Sequence, residues 1–383
     1  MPKYLKRLAG IVIGILLLLA ANAFVGRGGL FGFGLPYYYA EILMLTGISV
    51  ILAVSLNLIT GFTGQFSIGH AGFMAVGAYA SVFMTVYFSD GAEKWLTGLV
   101  GASVAQPLVF LAVIIFGALV AALAGLVVGI PSLRLRGDYL AIVTLGFAEI
   151  IRIIILNIDR VGGATGFRGA VAPWEGRAII PQYANFIWIG GFAVLTIVVV
   201  YNIVNSDIGR AFISIREDEL AAEAMGVNTT RYKVLSFVIS SSFAGIAGAL
   251  FGHFRQFLHT NDFQFIRSIE IIIMIVLGGM GSITGAVLGA IIITILPELL
   301  RKLPGDLYGY RLVIYSALLI VIMLTRPQGL FGAKEFGLSW LKRPQRRPEG
   351  DKPAGEKGVP IAQQPTPAVL EPSKEIDQRK EHA

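Results

Sequence analysis

The chain has 383 residues, of which 55% are hydrophobic and 14% are charged, and it contains no cysteine. Soluble globular domains carry about 25% charged residues, so this composition excludes that class and predicts a polytopic membrane protein. The net charge of +7 does not indicate nucleic-acid binding, because the basic residues cluster at the ends of apolar runs, as in cytoplasmic loops. Without cysteine the chain has neither a disulfide framework nor a thiolate metal site, and we predict no metal.

Ten apolar segments predict about ten transmembrane helices in an all-α membrane protein, since most of them approach bilayer length. They fall near residues 8–25, 37–59, 66–88, 107–130, 139–157, 183–204, 233–253, 266–280, 283–300 and 311–325. An even number of spans places both termini on one side, together with a charged segment at 206–233. Because basic residues favour the cytoplasm, we expect that side to be cytoplasmic.

Three regions follow from this pattern: an N-terminal helix with an outer loop (1–36), a transmembrane domain (37–330) and a cytoplasmic, largely disordered basic tail (331–383). The first helix has an alternative interpretation. Lys3, Lys6 and Arg7, an apolar stretch and Ala21-Asn22-Ala23 also fit a cleaved secretory signal. We favour a retained helix, because the apolar run extends through Val25 to bilayer length.

Small residues recur at helical spacing, which predicts close packing of helices in lipid. The stripes are Gly117, Ala121, Gly125 and Gly129; Ser240, Ala244, Gly248 and Gly252; and Gly285 with Gly289. A denser glycine segment, Gly61–Tyr79, also contains Gln65, Ser67 and His70, and it predicts an interrupted helix. Residues 278–282 (GGMGS) repeat this glycine density, and paired interrupted helices indicate a site near the bilayer midplane.

Glu149, Arg152 and His70 are ionisable groups within predicted spans, where an unpaired charge costs roughly 2.5–3.5 kcal/mol at the bilayer centre. Glu149 and Arg152 either form a mutual pair on one helix face or line an aqueous path. His70 is either a hydrogen-bonded residue between helices or a contact for substrate or protons.

The charged segment 206–233, called the island below, carries nine charged residues among its 28. Its apolar residues recur at spacings of three, four or seven: Ile208, Phe212, Ile215, Ala222 and Met225. This pattern predicts a short amphipathic helix. Gly226 is placed to end that helix in a left-handed conformation, and Asn228 to cap the next one. The island therefore predicts a docking surface for another protein.

Enzyme motifs are missing from the chain. It has no GxxxxGK[ST] phosphate loop, no HExxH zinc pair and no GxSxG nucleophile elbow. The glycine-rich run 162–166 lies in a predicted outer loop with no strand before it, so a nucleotide site is not expected there. We predict no catalytic residue and no cofactor, and any ATP hydrolysis that drives this protein has to occur on a partner chain.

Three runs carry a family resemblance: Thr60–Tyr79, Leu133–Asn157 (LRLRGDYLAIVTLGFAEIIRIIILN) and Gly209–Gly252. Together they resemble the permease subunits of branched-chain amino-acid ABC importers, and more narrowly the larger of the two permeases, over residues 37–330. The resemblance implies a type II-like importer fold in the prokaryotic plasma membrane. Its implied partners are a second permease of the same family, two cytoplasmic ABC ATPase subunits and an external substrate-binding protein.

The resemblance also makes the island the coupling helix with the EAA-type motif, whose xAAxxxG portion matches Ala221, Ala222 and Gly226. Leu220 stands where the motif has glutamate, with Glu219 one position earlier, and the downstream Ile-x-Leu-Pro is absent. The residues it implies for ATPase coupling are Arg216, Glu217, Glu219, Ala221, Ala222, Glu223 and Gly226.

The resemblance implies that the binding protein delivers an amino acid from outside, and that ATP-driven closure of the ATPases moves the island so that the spans rock between two packings. The polar groups at membrane depth predict the lining of the path. They are Gln65, Ser67, Gly69, His70, Thr144, Glu149 and Arg152. The expected substrates are leucine, isoleucine and valine. The same scaffold also suits urea, short amides, other amino acids or aromatic acids, and a stand-alone secondary carrier is the remaining alternative.

Overall fold

A computed structural model describes residues 36–132, 137–170, 176–301 and, near the end of the transmembrane domain, 316–317, 320, 324–325 and 329–330. In these ranges every named element is a helix, and one isolated antiparallel bridge joins Phe167 to Leu258. The all-α prediction is confirmed. The first predicted span, the cleavage alternative and the tail lie outside the described residues, as does most of the tenth span.

The described residues form ten α-helices, two of them within the island. Their bounds are α1 Tyr37–Asn57, α2 His70–Val100, α3 Ala102–Ser132, α4 Asp138–Leu156, α5 Phe186–Val204, α6 Asp207–Glu217, α7 Glu219–Ala224, α8 Thr229–Arg255, α9 Phe265–Gly278 and α10 Ile283–Leu300. Seven of them are long and apolar enough to cross a membrane, namely α1 to α5, α8 and α10. Seven of the predicted spans are therefore present as membrane-length helices.

The eighth predicted span is helical but short. Helix α9 has 14 residues, which amounts to about 21 Å, whereas the hydrocarbon core of a bilayer is about 30 Å thick. It packs against α10 through backbone contact at glycine. A Cβ added to Gly278 would lie 2.0 Å from the carbonyl oxygen of Gly285, and one added to Gly289 would lie 2.0 Å from that of Met274.

Helix α2 differs most from its predicted bounds. It begins at His70, later than residue 66, and continues to Val100, well past residue 88. Its 31 residues span about 46 Å, which exceeds the thickness of the hydrocarbon core. The added turns carry Asp90, Glu93 and Lys94, so hydropathy ended the predicted span where charged residues begin.

Helices α2, α3 and α8 form the tightly packed centre of the bundle. A Cβ on Gly77 of α2 would lie 2.2 Å from the Cα of Gly245 on α8, and one on Gly125 of α3 would lie 2.0 Å from Ser241 Oγ. These separations leave no room for larger residues, so the helices approach backbone to backbone. The predicted small-residue stripes on α3 and α8 are confirmed as packing surfaces.

Candidate functional site

The predicted break in the first glycine-dense segment is confirmed, and the second segment is the turn between α9 and α10; these two breaks are called the interruptions below. Helix α1 ends at Asn57 and continues as a π-turn over Leu58–Phe62, after which residues 63–69 are not helical. Helix α9 ends at Gly278, and α10 begins at Ile283. Gly64 has a φ of 74° and Gly281 one of 81°, a left-handed region that glycine enters without steric cost. Single-turn π-helices are frequent at functional sites.

The two interruptions contact each other. Asn57 Nδ2 donates to the carbonyl oxygen of Ser282 at 2.9 Å, and the Gly281 amide donates to Asn57 Oδ1, also at 2.9 Å. A Cβ on Gly61 would lie 2.5 Å from the Gly281 nitrogen. Asn57, Gly61, Gly281 and Ser282 therefore form one contact, called the junction below. The sequence analysis missed Asn57, although an amide within an apolar run is a signal of polar pairing between helices.

The predicted path residues nearest the junction lie on the non-helical segment, at the start of α2 and on α4. Gln65, Ser67, His70 and Thr144 are all buried. The Ile68 amide donates to Thr144 Oγ1 at 3.1 Å, and a Cβ on Gly69 would lie 2.4 Å from the Thr144 carbonyl oxygen. The segment consequently packs along α4, and Gly69 is required where the two backbones meet.

His70 joins two helices, as one of the two alternatives predicted. Its Nε2 lies 2.9 Å from Ser55 Oγ on α1. Within the described chain, His70 Nδ1, Ser67 Oγ and both polar atoms of the Gln65 amide have no hydrogen-bond partner. An unsatisfied buried polar group costs about 1–3 kcal/mol. Such groups concentrated in a non-helical segment and the helix start that follows it are typical of a functional element.

Glu149 and Arg152 form the mutual pair predicted for one helix face. Arg152 Nε donates to Glu149 Oε2 at 2.7 Å, and both side chains are partly exposed. The pair lies more than one turn beyond Thr144 along α4. A part for these two residues in lining a path stays a prediction, as it does for the other candidates.

The island contains two helices, so the prediction of one amphipathic helix is wrong. Helix α6 ends at Glu217, Asp218 is extended with a φ of −156°, and α7 begins at Glu219. The Asp218 carboxylate accepts hydrogen bonds from the amides of Leu220 and Ala221. Aspartate in that position starts a new helix by satisfying its free amides, which breaks the helical phase of the island.

The break at Asp218 changes which apolar residues are buried. Phe212, Ile215 and Ala222 are buried, as the predicted stripe requires, whereas Met225 is 84% exposed. Placing Met225 on the buried face is therefore wrong, because the stripe assumed one continuous helix. The predicted end is confirmed: Gly226 has a φ of 87° just after α7, and Asn228 Oδ1 accepts from the Arg231 amide at 3.0 Å.

Arg216 and Glu219 of the island make contacts that fix its two helices to the rest of the chain. Arg216 Nη1 donates to the carbonyl oxygen of Gly61, in the junction, at 2.9 Å. Glu219 Oε1 lies 2.6 Å from the ammonium of Lys233, whose side chain is only 9% exposed. Arg216 therefore fixes the end of α6, and Glu219 fixes α7 against the start of α8. Contacts of these two side chains with an ATPase stay predictions.

The outward face of α7 consists of other residues. Ala221 and Glu223 are exposed, as is Glu217 just before it, and the adjacent Leu220 is 64% exposed. Ala222 faces inward. The island thus presents a small apolar surface flanked by carboxylates. In the sequence, Leu220 is noticeable only because it stands where the EAA-type motif has glutamate.

At the C-terminal end of α2, described residues of the connection between α4 and α5 contact the extended turns of that helix. Arg177 binds Glu93 on the extended end of α2 and donates to Tyr183 Oη at 2.8 Å, while Tyr183 Oη donates to Glu93 at 2.7 Å. Burial, with the hydrogen bond to Glu93, raises the pKa of Tyr183 to about 12. The glycine-rich run 162–166 forms short 3₁₀ turns here with no named strand before it.

These features define the class: a polytopic, α-helical membrane protein in which two glycine-dense breaks between helices contact each other and a two-helix loop packs against them. The family described as "Branched-chain amino acid transport system / permease component" matches residues 38–323, and the chain belongs to this family.

Several relatives are similar over most of their length. The LivM permease protein of a high-affinity branched-chain amino acid transport system from Salmonella typhimurium is 31% identical, over 82% of this chain and 73% of the relative. The corresponding LivM from Escherichia coli K12 is 34% identical, over 76% of this chain and 69% of the relative. LivH of Salmonella typhimurium is 31% identical over 44% of this chain and 58% of the relative. These names are those of transport permeases.

One solved structure also matches, a metal-chelate type ABC transporter in an inward-facing conformation. It covers 84% of this chain and 99% of that chain, at a TM-score of 0.43 and 14% sequence identity. A similarity this distant assigns nothing about the arrangement of the helices.

Proposed function

We propose that this chain is the permease subunit of an ATP-driven importer for branched-chain amino acids, with leucine, isoleucine and valine as substrates. Membership of the family over residues 38–323 supports this function, as do the names of the LivM relatives. The chain forms the translocation path with a second permease in a type II-like arrangement. It hydrolyses no ATP itself, because two cytoplasmic ABC ATPases on partner chains supply that reaction.

The observation that carries the proposal is the position of the island. It packs against the junction on one side, and on the other it exposes Leu220 and Met225, flanked by Glu217 and Glu223. A short helix with an apolar exposed face suits a groove on a partner protein, and its flanking charges set the orientation. The ATPase occupies this surface. The island and both termini face the cytoplasm, and the protein resides in a prokaryotic plasma membrane.

Different regions of this chain then act in different steps of transport. An external binding protein docks on the outer end of the bundle, where the Arg177, Glu93 and Tyr183 contacts hold the loop. The non-helical segment with Gln65 and Ser67, together with His70 at the start of α2, borders the path. When ATP binding moves the ATPases, the island moves with them, and the bundle passes between two discrete packings.

Docking is tested by exchanging residues of α7. Leu220→Asp changes an exposed side chain that supports no internal packing, so we expect it to abolish co-purification of the ATPases while the permease still inserts. Ala222→Arg puts a charge on the buried face of α7, and Gly226→Pro removes the left-handed residue that ends this helix. We expect the same loss of co-purification for both variants. Ala92→Arg, on the exposed opposite end of α2, is the matched control. Retained co-purification in all three island variants would refute the docking surface.

Transport is tested in proteoliposomes that contain both permeases and the ATPases, with the binding protein outside. We expect leucine uptake that requires ATP inside. Uptake by the purified chain alone would indicate a secondary carrier, and uptake of urea or an aromatic acid in place of the aliphatic amino acids would overturn the substrate.

A further inference from the structure

Arg216 connects the island to the junction over a large distance in the sequence. Its Nη1 donates to the Gly61 carbonyl oxygen at 2.9 Å, while Nε and Nη2 donate to Glu217 Oε1 at 3.1 and 2.6 Å. One planar guanidinium thus makes two different sets of contacts. Glu217 orients it from the island, and Gly61 receives it at the end of the first described span.

The receiving carbonyl belongs to a helix terminus. The Gln65 amide, which would bond to Gly61 in a continuing α-helix, donates instead to Ile59 at 3.0 Å. The last carbonyls of a helix are unsatisfied and carry the negative end of the helix dipole. A guanidinium is therefore held here by its charge as well as by its hydrogen bond.

The fit around the guanidinium involves both interrupted helices. A Cβ on Gly64 would lie 2.8 Å from Arg216 Cγ, and a Cβ on Gly281 would lie 2.8 Å from Arg216 Nη1. Glycine at both positions lets Arg216 lie against the two interruptions at once. Asn57 then joins the same two interruptions through its amide.

We propose that Arg216 is the positioning residue that transmits movement of the island to the junction of the two interrupted helices. In the described conformation it holds the junction together. When the island is pulled by the ATPases, the Arg216–Gly61 contact moves the end of α1 relative to Gly281, and the inner ends of the two interrupted helices separate. Packed interfaces of this kind change between discrete arrangements and do not deform continuously. This inference rests on the proposed docking of the ATPases at the island, and it assigns Arg216 to the inner side of that contact.

The inference is tested in the complete complex in proteoliposomes, by comparing Arg216→Ala and Arg216→Lys with the unchanged protein. Three quantities are measured: co-purification of the ATPases, ATP hydrolysis with and without substrate-loaded binding protein, and substrate uptake. For Arg216→Ala we expect normal co-purification and normal basal hydrolysis. The stimulation by the binding protein and the uptake should both fall about fivefold or more, the range of coupling between linked sites.

Arg216→Lys separates charge from geometry. A lysine ammonium can donate to the Gly61 carbonyl, but it lacks the planar fork that also binds Glu217. We therefore expect partial recovery of stimulation and uptake. A purely structural role would instead show itself as lost co-purification or lower basal hydrolysis in both variants.

Arg210→Ala is the matched control, because it removes the same charge from the same helix. Arg210 is 72% exposed and pairs with Asp207 on α6 itself. We expect this variant to behave like the unchanged protein.

A second experiment combines Arg216→Ala with Asn57→Ala. The loss of stimulation in this double variant should be less than the product of the two single losses, since both residues act through the junction.

Three results would overturn the inference: full stimulation and uptake in Arg216→Ala, equal losses in Arg216→Ala and Arg210→Ala, or loss of ATPase co-purification in Arg216→Ala alone. The last result would place Arg216 in the docking surface. Failure of the unchanged protein to co-purify any ATPase would instead refute the proposed function.

Discussion

Buried charges in the island illustrate how single residues decide its structure. Lys233 lies in a segment whose sequence predicts a polar loop, yet its side chain is buried and paired with Glu219. The family resemblance implied a partner contact for Glu219, which stands one position before the glutamate of the coupling motif. The pairing requires α7 to pack against the start of α8. The turn at Gly226 permits this contact, but no local sequence pattern predicts it.

Glu219→Gln should destabilise the protein. It leaves the Lys233 ammonium buried without a counter-charge. Breaking a fully buried pair in this way costs about 3–5 kcal/mol, and the partial exposure of Glu219 places the expected loss below that range. Thermal melting of the solubilised chain measures it. Lys233→Met removes the buried charge and keeps the apolar stem, so its melting temperature should fall less; an equal or larger fall would contradict the pairing argument.

The path residues are tested at the same scale. If His70 and Glu149 border the path, His70→Ala and Glu149→Gln should lower uptake and stimulated ATP hydrolysis while ATPase co-purification persists. Each change removes a contact worth about 1–3 kcal/mol, so we expect roughly a tenfold effect. Tyr201→Phe, on the exposed face of α5, is the control. Unchanged uptake and stimulated hydrolysis in both variants would remove these residues from the path.

At the scale of elements, hydropathy located the membrane-length helices, and small-residue stripes located their contacts. Both signals are local in the sequence, which explains their success. The prediction of one helix in the island failed at Asp218, because the spacing of apolar residues alone does not reveal a break between two short helices that each bury apolar residues. Asp218, a favoured N-cap residue, followed by the acidic Glu219 in the first turn, was the available signal.

The packing of α2 against α8 gives a prediction for one glycine. A Cβ on Gly248 would lie 2.0 Å from the Met74 carbonyl oxygen, whereas a Cβ on Gly191 of α5 would have no atom within 4 Å. Gly248→Ala should therefore force the helices apart, at a cost of about 1–3 kcal/mol, and lower the melting temperature. Gly191→Ala makes the same chemical change without a clash and should melt like the unchanged protein. Equal melting of the two variants would contradict the close approach.

For the whole molecule, the orientation in the membrane is the central prediction. The chain contains no cysteine, so each introduced cysteine reports alone. Met225→Cys in the island should react with a membrane-impermeant maleimide only from the cytoplasmic side. Ala92→Cys, near the exposed end of α2, should react only from outside. Labelling of both positions from the same side, or of Met225→Cys from outside, would show that the proposed topology is wrong.

The sequence alone determined the class of protein, seven of the membrane-length helices, the interruptions at the two glycine-dense segments and the end of the island at Gly226. Each of these depends on composition, periodicity or backbone freedom within a few neighbouring residues. Tertiary structure decided which polar groups meet: Asn57 with Gly281 and Ser282, Arg216 with Gly61, and Lys233 with Glu219. Most of these partners are separated by more than 150 residues, and a hydrogen bond between them exists only once the packing of the helices has brought their backbones together.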